Sequence, residues 1–201
     1  MTGEGETSAT ASALAFLAEH GVALASAAGP APKLIEVIAG ERIVGNWWSH
    51  PRANAIYNSL AQVQDSPDVL VCRLLGGKVT LVHRRLWSPL ATLGMAREPW
   101  QLARLSRAGR ALLTRVDRGS PIRASGSAVR ELETRLLVVA RQVHTESGRH
   151  ETELQGWREW AASERIRRGR SVAAAKRALE LAASRLGAPP EALPWKTKPR
   201  D

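Results

Sequence analysis

The sequence predicts an α+β protein of two small units, each a set of helices leading into a β-hairpin, with flanking N- and C-terminal helices. Three observations lead there. Residues 66–87, SPDVLVCRLLGGKVTLVHRRLW, hold two apolar runs joined through Gly76-Gly77, a strong short-range hairpin signal. Two short helix patterns, 33–39 and 51–64, come just before it. A similar order recurs about 70 residues later, as an architectural repeat and not an alignable one.

Residues 1–10 are small, polar and rich in Gly, Thr and Ser, which predicts a disordered start. Over 11–28, Leu14, Leu17, Ala18 and Val22 recur at one-turn offsets, predicting a short amphipathic helix. Gly29-Pro30-Ala31-Pro32 breaks it. Leu34, Ile35, Val37 and Ile38 form a compact helix that Gly40 ends. The connection 41–50 carries Ile43, Val44, Trp47 and Trp48. Pro51 suits the first turn of the next helix. Its expected buried face is Ile56, Tyr57, Leu60 and Val63, with Arg52, Asn58, Ser59 and Gln62 on the open face. In the hairpin, Val69, Leu70 and Val71 begin the first strand. Val79, Leu81 and His83 alternate with Lys78, Thr80 and Val82 on the return. Residues 86–95 follow as an apolar helix.

The second unit begins near Glu98-Pro99-Trp100. Leu102, Leu105, Ala108, Leu112, Leu113 and Val116 are helically spaced, with Gly109 as a break. Ile122-Arg123-Ala124 fits a short strand, and 127–137 a helix with Val129, Leu132 and Leu136 on one face. Residues 138–154, around Glu146-Ser147-Gly148, fit a second hairpin. Val139 and Val143 also continue the helical spacing, and periodicity does not decide between the two. Residues 157–168 read as a basic helix. Residues 172–186 read as a last helix that Ser171 caps and Gly187 stops, and 188–201 as a mobile basic tail. The expected organisation is 1–29 disordered start and N-terminal helix, 30–97 first unit, 98–160 second unit, and 161–201 basic C-terminal helix and tail.

With 201 residues, 44% of them hydrophobic, the chain can build a sizeable core. No stretch approaches ~20 uncharged apolar residues, so no membrane partner is expected, and the opening residues lack a secretory pattern. Cys72 is the only cysteine, which excludes an internal disulfide and points to a reducing cytoplasm, nucleoid-associated if DNA-bound. The net charge of +10 is segregated: residues 1–100 carry 8 basic and 8 acidic residues, residues 101–201 carry 21 and 11. A basic half on a neutral half suits an anionic partner, most often nucleic acid. Arg outnumbers Lys 24 to 5, as codon usage in a GC-rich genome also produces.

Helix, helix, hairpin is the order of a winged-helix unit, whose usual partner is duplex DNA, an inference by analogy of fold. The candidate nucleic-acid-binding residues are Arg52 on the helix before the hairpin, Lys78, Arg84 and Arg85 around the first wing, and Arg123, Arg130 and Arg149 in the second half. Arg135, Arg165, Arg167, Arg168 and Arg170 join them, since the guanidinium fork suits phosphate. Arg84 and Arg85 point different ways, so one is free to pair with Asp65 or Asp68. His50, His83, His144 and His150 fall in separate segments without HxxxH or CxxC spacing, so neither metal nor cofactor is expected. No nucleophile elbow, Walker A loop or Rossmann fingerprint occurs. Of Trp47 and Trp48, at least one is expected to fill the core rather than stack on bases. Trp87, Trp100, Trp157 and Trp160 fall near element ends, suited to sealing two units together.

The strings Gly45-Asn46-Trp47-Trp48-Ser49-His50-Pro51, Ser66-Pro67-Asp68-Val69-Leu70-Val71-Cys72-Arg73-Leu74, His83-Arg84-Arg85-Leu86-Trp87 and Val143-His144-Thr145-Glu146-Ser147-Gly148 resemble a family of short bacterial proteins related to the AlkZ/YcaQ DNA glycosylases. The resemblance spans 45–148. It implies tandem winged-helix modules, duplex DNA as partner and a DNA-repair lineage. The glycosylases themselves are far longer and excise bases with a Gln-x-Gln or Gln-x-Asp motif. Gln62-Val63-Gln64 matches its glutamines without its apolar surroundings, so no catalytic role is carried onto Gln62 or Gln64. Three readings stay open. One is a DNA-binding protein. Another is a minimal glycosylase acting on alkylated or crosslinked bases, which needs a pocket for an extruded base. The third is a non-catalytic protein–protein adaptor, which needs an exposed apolar patch.

Overall fold

The computed structural model describes residues 3–27, 29, 31–119, 121–144 and 150–196. Helix α1 (Gly3–His20) runs through the polar residues expected to be disordered. Ala13 and Leu17 hold it against the first core, and tertiary packing of this kind outweighs weak local propensity. The helix stops at Gly21 (φ 85) instead of continuing to 28. The left-handed bend favours glycine, and a β-carbon there would also have to displace the ends of the Leu86 (2.7 Å) and Arg85 (2.9 Å) side chains. Val22–Leu24 is therefore strand β1, although Val22 lies one helical turn after Ala18.

Helices α2 (Leu34–Ala39) and α3 (Ala53–Gln64) and strands β2 (Val69–Cys72) and β3 (Thr80–His83) follow where the pattern places them. On α3 two assignments exchange: Tyr57 is 48% exposed and Ser59 only 1%, because Ser59 shares the face of Ile56, Leu60 and Val63. The three strands form an antiparallel sheet in the order β1-β3-β2, with Val82 opposite both Val22 and Leu70 and Leu81 opposite both Ala23 and Val71.

This sheet is buried on both faces, so the alternation in β3 separates two cores rather than core from solvent. Ala23, Val69 and Leu81 face α1–α3, among Leu17, Ile35, Ile56 and Val63. Val22, Leu24, Leu70 and Val82 face a second core shared with the other half of the chain, formed by α4 (Trp87–Gly94), α8 (Trp157–Ser163) and α9 (Val172–Arg185). Thr80 is tolerated inside because its hydroxyl donates to Lys78 O (3.0 Å) and accepts from Leu75 N (3.1 Å).

The second unit comprises α5 (Pro99–Leu102), α6 (Arg107–Val116), β4 (Ile122–Ala124), α7 (Ser127–Thr134), β5 (Val139–His144) and β6 (His150–Gln155). Its sheet order, β4-β6-β5, again centres the last strand. Strands β5 and β6 thus pair antiparallel where the helical spacing could have continued, while the turn expected at Glu146-Ser147-Gly148 lies outside the described residues. Leu136 turns to φ 51, and Leu137 N bonds back to Leu132 O at 2.9 Å, which closes α7 before the valine run. Gly109 is no break. It is buried within α6 against the Glu131 carboxylate, and the chain breaks instead at 103–106, where the Ser106 hydroxyl caps α6 by accepting from Gly109 N (2.8 Å).

Helix α8 ends at Ser163 rather than 168, because Ile166 N returns to Ala161 O (2.7 Å) with Arg165 at φ 55. Nor is the segment after α9 a free tail as far as residue 196. Leu193 is 1% exposed, and the Trp195 indole donates to Glu180 (2.8 Å). Residues 197–201 lie outside the described residues. Three tryptophans seal the shared core edge to face, Trp87–Trp160 at 5.3 Å and Trp157–Trp160 at 5.4 Å. Their polar ends are satisfied: Trp87 donates to Val82 O (3.0 Å) and Trp157 to Leu136 O (2.8 Å). Among the described residues no helix is long and apolar enough to cross a membrane.

Candidate nucleic-acid interface

The hairpin between β2 and β3 does not close through a two-residue turn. Its strands end at Cys72 and Thr80, and the connection 73–79 contains a 3-10 turn at Leu75–Gly77, with Gly76 and Gly77 left-handed (φ 61 and 66). This longer loop is docked, not projecting. Leu75 is buried, Arg73 pairs with Glu133 on α7 (3.1 Å), and a β-carbon on Gly77 would sit 3.3 Å from Thr134. The far side of the loop rests on residues 190–192. Lys78 is half-buried there and lines a cavity of about 230 Å³ with Leu24, Ala31 and Ala188.

The other candidates in the first half are tied to the protein itself. Arg52 donates to Ala39 O (2.8 Å) and Ile38 O (3.4 Å), satisfying carbonyls left open at the end of α2. Arg84 pairs with Asp68 (2.8 Å), its guanidinium 5.7 Å from the Trp87 ring centre. Both members of that pair are substantially exposed, so it stabilises by only ~0–1 kcal/mol. Arg85 donates to Glu19 O at the end of α1 (2.6 Å). Beside them, burial holds the His83 imidazole below its ordinary range, against the opposing pull of Asp68 and with smaller help from the Arg85 and Arg84 charges.

In the second half, Arg123 pairs with Glu151 (3.2 Å). The register also sets Arg123 and Arg141 on either side of Glu153, which leaves this sheet face close to charge balance. Arg135 is structural: it donates to the carbonyls of Trp100 (3.0 Å), Gln101 (3.3 Å) and Ala103 (2.6 Å). Arg130 is exposed on α7. Arg149 lies outside the described residues. Gln62 accepts from the Thr10 hydroxyl (2.9 Å) and Gln64 is half-buried. His144 and His150 are register partners across β5 and β6. No group of three metal-ligating side chains occurs among the described residues.

What remains is a concentrated cationic surface on residues 165–170. Arg165, Arg167, Arg168 and Arg170 are all exposed, and none of their guanidinium groups has a partner among the described residues. The backbone beneath them is fixed: Ser88 Oγ donates to Arg167 O (2.7 Å), Gly169 N donates to Thr92 Oγ1 (2.7 Å), and Ile166 packs on the shared core. Ser88 and Thr92 both belong to α4, so this helix carries the segment.

A second basic surface was not singled out by sequence. Arg107, Arg110 and Arg115 are exposed on α6 and Arg118 just beyond its end, while Leu112, Leu113 and Val116 are buried. The signal was present in that helical alternation of leucine and arginine. The positive end of α6 already holds an internal anion, since Glu131 accepts from Ser106 N (2.9 Å) and Oγ (2.6 Å). Burial alone would raise this carboxyl, but the Ser106 hydrogen bonds with Arg135 and Arg110 outweigh it and hold it below the ordinary range.

A separate surface is aromatic. In the connection between α2 and α3, Asn46 Oδ1 accepts from Trp48 N (3.2 Å) and His50 Nε2 meets Glu41 (3.2 Å), fixing the turn. Trp47 rests on the first core, and Trp48 stacks on it with ring centres 4.0 Å apart. Trp48 and Tyr57 lie 5.5 Å apart and are 54% and 48% exposed. Comparison with known protein families, curated proteins and solved structures finds no match to this chain.

Proposed function

We propose that this chain is a DNA-binding protein of tandem winged-helix type, related to the short AlkZ-like proteins, that holds the duplex backbone through Arg165, Arg167, Arg168 and Arg170. The single observation that carries the reading is that these four guanidinium groups are solvent-exposed, unpaired among the described residues and mounted on a backbone fixed to α4. Phosphate binding by such groups releases counterions without breaking internal ion pairs. The order of α1, β1, α2, α3, β2 and β3, with β3 central, supports the winged-helix assignment. The docked loop 73–79 takes no part in phosphate contact; the role expected of Lys78 passes to 165–170 and, secondarily, to the outer face of α6.

The test is binding to random-sequence duplex DNA from low to physiological salt. Affinity is expected to fall steeply with salt, and Arg167→Ala or Arg168→Ala to reduce the logarithmic slope by ~1 each on every sequence. No binding at low salt overturns the reading. The adaptor reading would then gain support from the exposed Val44, Trp48 and Tyr57.

A further inference from the structure

We infer that Trp48 and Tyr57 form a stacking platform for an unpaired nucleobase, so that the chain prefers nucleic acid with single-stranded character over plain duplex. This rests on the nucleic-acid reading above and narrows its substrate class.

The platform is built rather than incidental. Trp47 anchors the stack to the core, Trp48 extends it outward, and Tyr57 flanks it from α3. Large aromatic rings are ordinarily taken out of water, yet Trp48 and Tyr57 leave about half their surface open while Trp47 supports Trp48 from beneath.

The surroundings favour a base over an apolar protein segment. Asn54 and Asn58 are exposed on α3 on either side of Tyr57 in sequence, and Arg42 is exposed in the connection leading to the stack. The nearby carboxylate, Glu41, is engaged by His50 (3.2 Å). The patch therefore offers flat π-faces, amides able to read a base edge and a cation for the backbone, with one exposed carboxylate, Glu41, held by His50. A duplex interior presents no exposed base face to such rings, whereas a single strand does.

The test compares wild type with Trp48→Ala, Tyr57→Ala and Arg167→Ala/Arg168→Ala, using oligothymidylate and a duplex of equal length at fixed salt. Circular dichroism establishes that each variant is folded, and Trp48→Phe serves as the variant that keeps a ring. We expect oligothymidylate to bind the wild type more tightly than duplex does. Trp48→Ala and Tyr57→Ala should each weaken oligothymidylate binding roughly ten- to a hundredfold and leave duplex binding within about twofold. Trp48→Phe should retain most of the affinity. The double arginine variant should weaken both ligands.

If wild type binds duplex in a salt-dependent way but Trp48→Ala leaves oligothymidylate affinity unchanged, the stacking inference falls while the DNA reading stands. If wild type binds neither, both fall. A wild type that self-associates through this patch, becoming monomeric on Trp48→Ala without any change in nucleic-acid affinity, also overturns the inference.

Discussion

Replacing Gly94 with alanine tests the packing that joins the two halves. An ideal β-carbon at Gly94 would lie 2.5 Å from Cδ1, Cδ2 and Cε2 of Trp157. Carbon atoms pack best at ~3.5–4.0 Å, so the ring or the helix must yield by ~1 Å. The ring has little room: Trp157 is 3% exposed, lies edge-on to Trp160 and donates to Leu136 O at 2.8 Å. Overpacking costs ~1–3 kcal/mol, a buried carbonyl deprived of its donor ~1–3 more, and alanine in a helix returns ~0.5–1, so a net loss of about 3 kcal/mol is expected. In urea this moves the midpoint down by ~1–3 M, followed by circular dichroism so that indole fluorescence changes do not intrude. The second half of the test is a reversal. Trp157→Ala alone should destabilise by ~3–5 kcal/mol, and adding Gly94→Ala to it should be neutral or stabilising because the β-carbon then faces vacated space. A Gly94→Ala variant as stable as wild type, or one equally harmful with and without Trp157, would refute this account.

Ser106→Ala should cost ~1–2 kcal/mol by removing both the cap on Gly109 N and a donor to Glu131, measured by chemical denaturation. Stability should fall on acidification. Glu131 and Glu98, despite burial, and Glu180, chiefly through Trp195, have carboxyls held below the ordinary 4.5; such groups contribute stability that is present above 4.5 and is lost as pH falls from there through the lowered folded values. Glu180→Gln should flatten that acid limb in a pH series of melting temperatures. The Cys72 thiol, pushed up to about 12 by burial and then by Glu133, should resist alkylation at neutral pH in the native protein and react readily in denaturant. Glu133→Ala leaves Arg73 without its carboxylate and should raise hydrogen exchange in residues 73–79.

Much of the architecture was legible because it depends on neighbours in the chain. Valine and leucine runs on either side of Gly76-Gly77 specify β2 and β3, and Ser171 and Gly187 bracket α9. The rest depended on partners distant in sequence. Strand β1 was hidden because Val22 continues the α1 spacing; only the left-handed turn at Gly21 and pairing with residues 80–82 make it extended. The Arg123 partner Glu151 is brought close by register, the Arg52 partner is the open end of another helix, and the loop carrying Lys78 is covered by residues far downstream. Composition announced a basic second half, but it did not show which arginines would be consumed by carbonyls and carboxylates and which left outside. The apolar exposure of Trp48 and Tyr57 was equally unreadable, since a tryptophan pair beside a short helix carries the same pattern in a core.

The sheet formed by β1, β2 and β3 has a consequence for how the chain is made. Its inner face, with Val22, Leu24, Leu70 and Val82, is complete in sequence by residue 83, but the elements that cover it include α8 and α9, which end at Ser163 and Arg185. At synthesis rates of ~5–20 residues per second, that face waits on the order of ten seconds for its lid. During this interval the nascent chain displays a leucine- and valine-lined surface beside an unpaired β2 edge, the form most open to chaperone capture or to pairing with another nascent copy. Ribosomal pausing before α9 emerges would lengthen that exposure, whereas the first core, closed by α1, α2 and α3, is already in place.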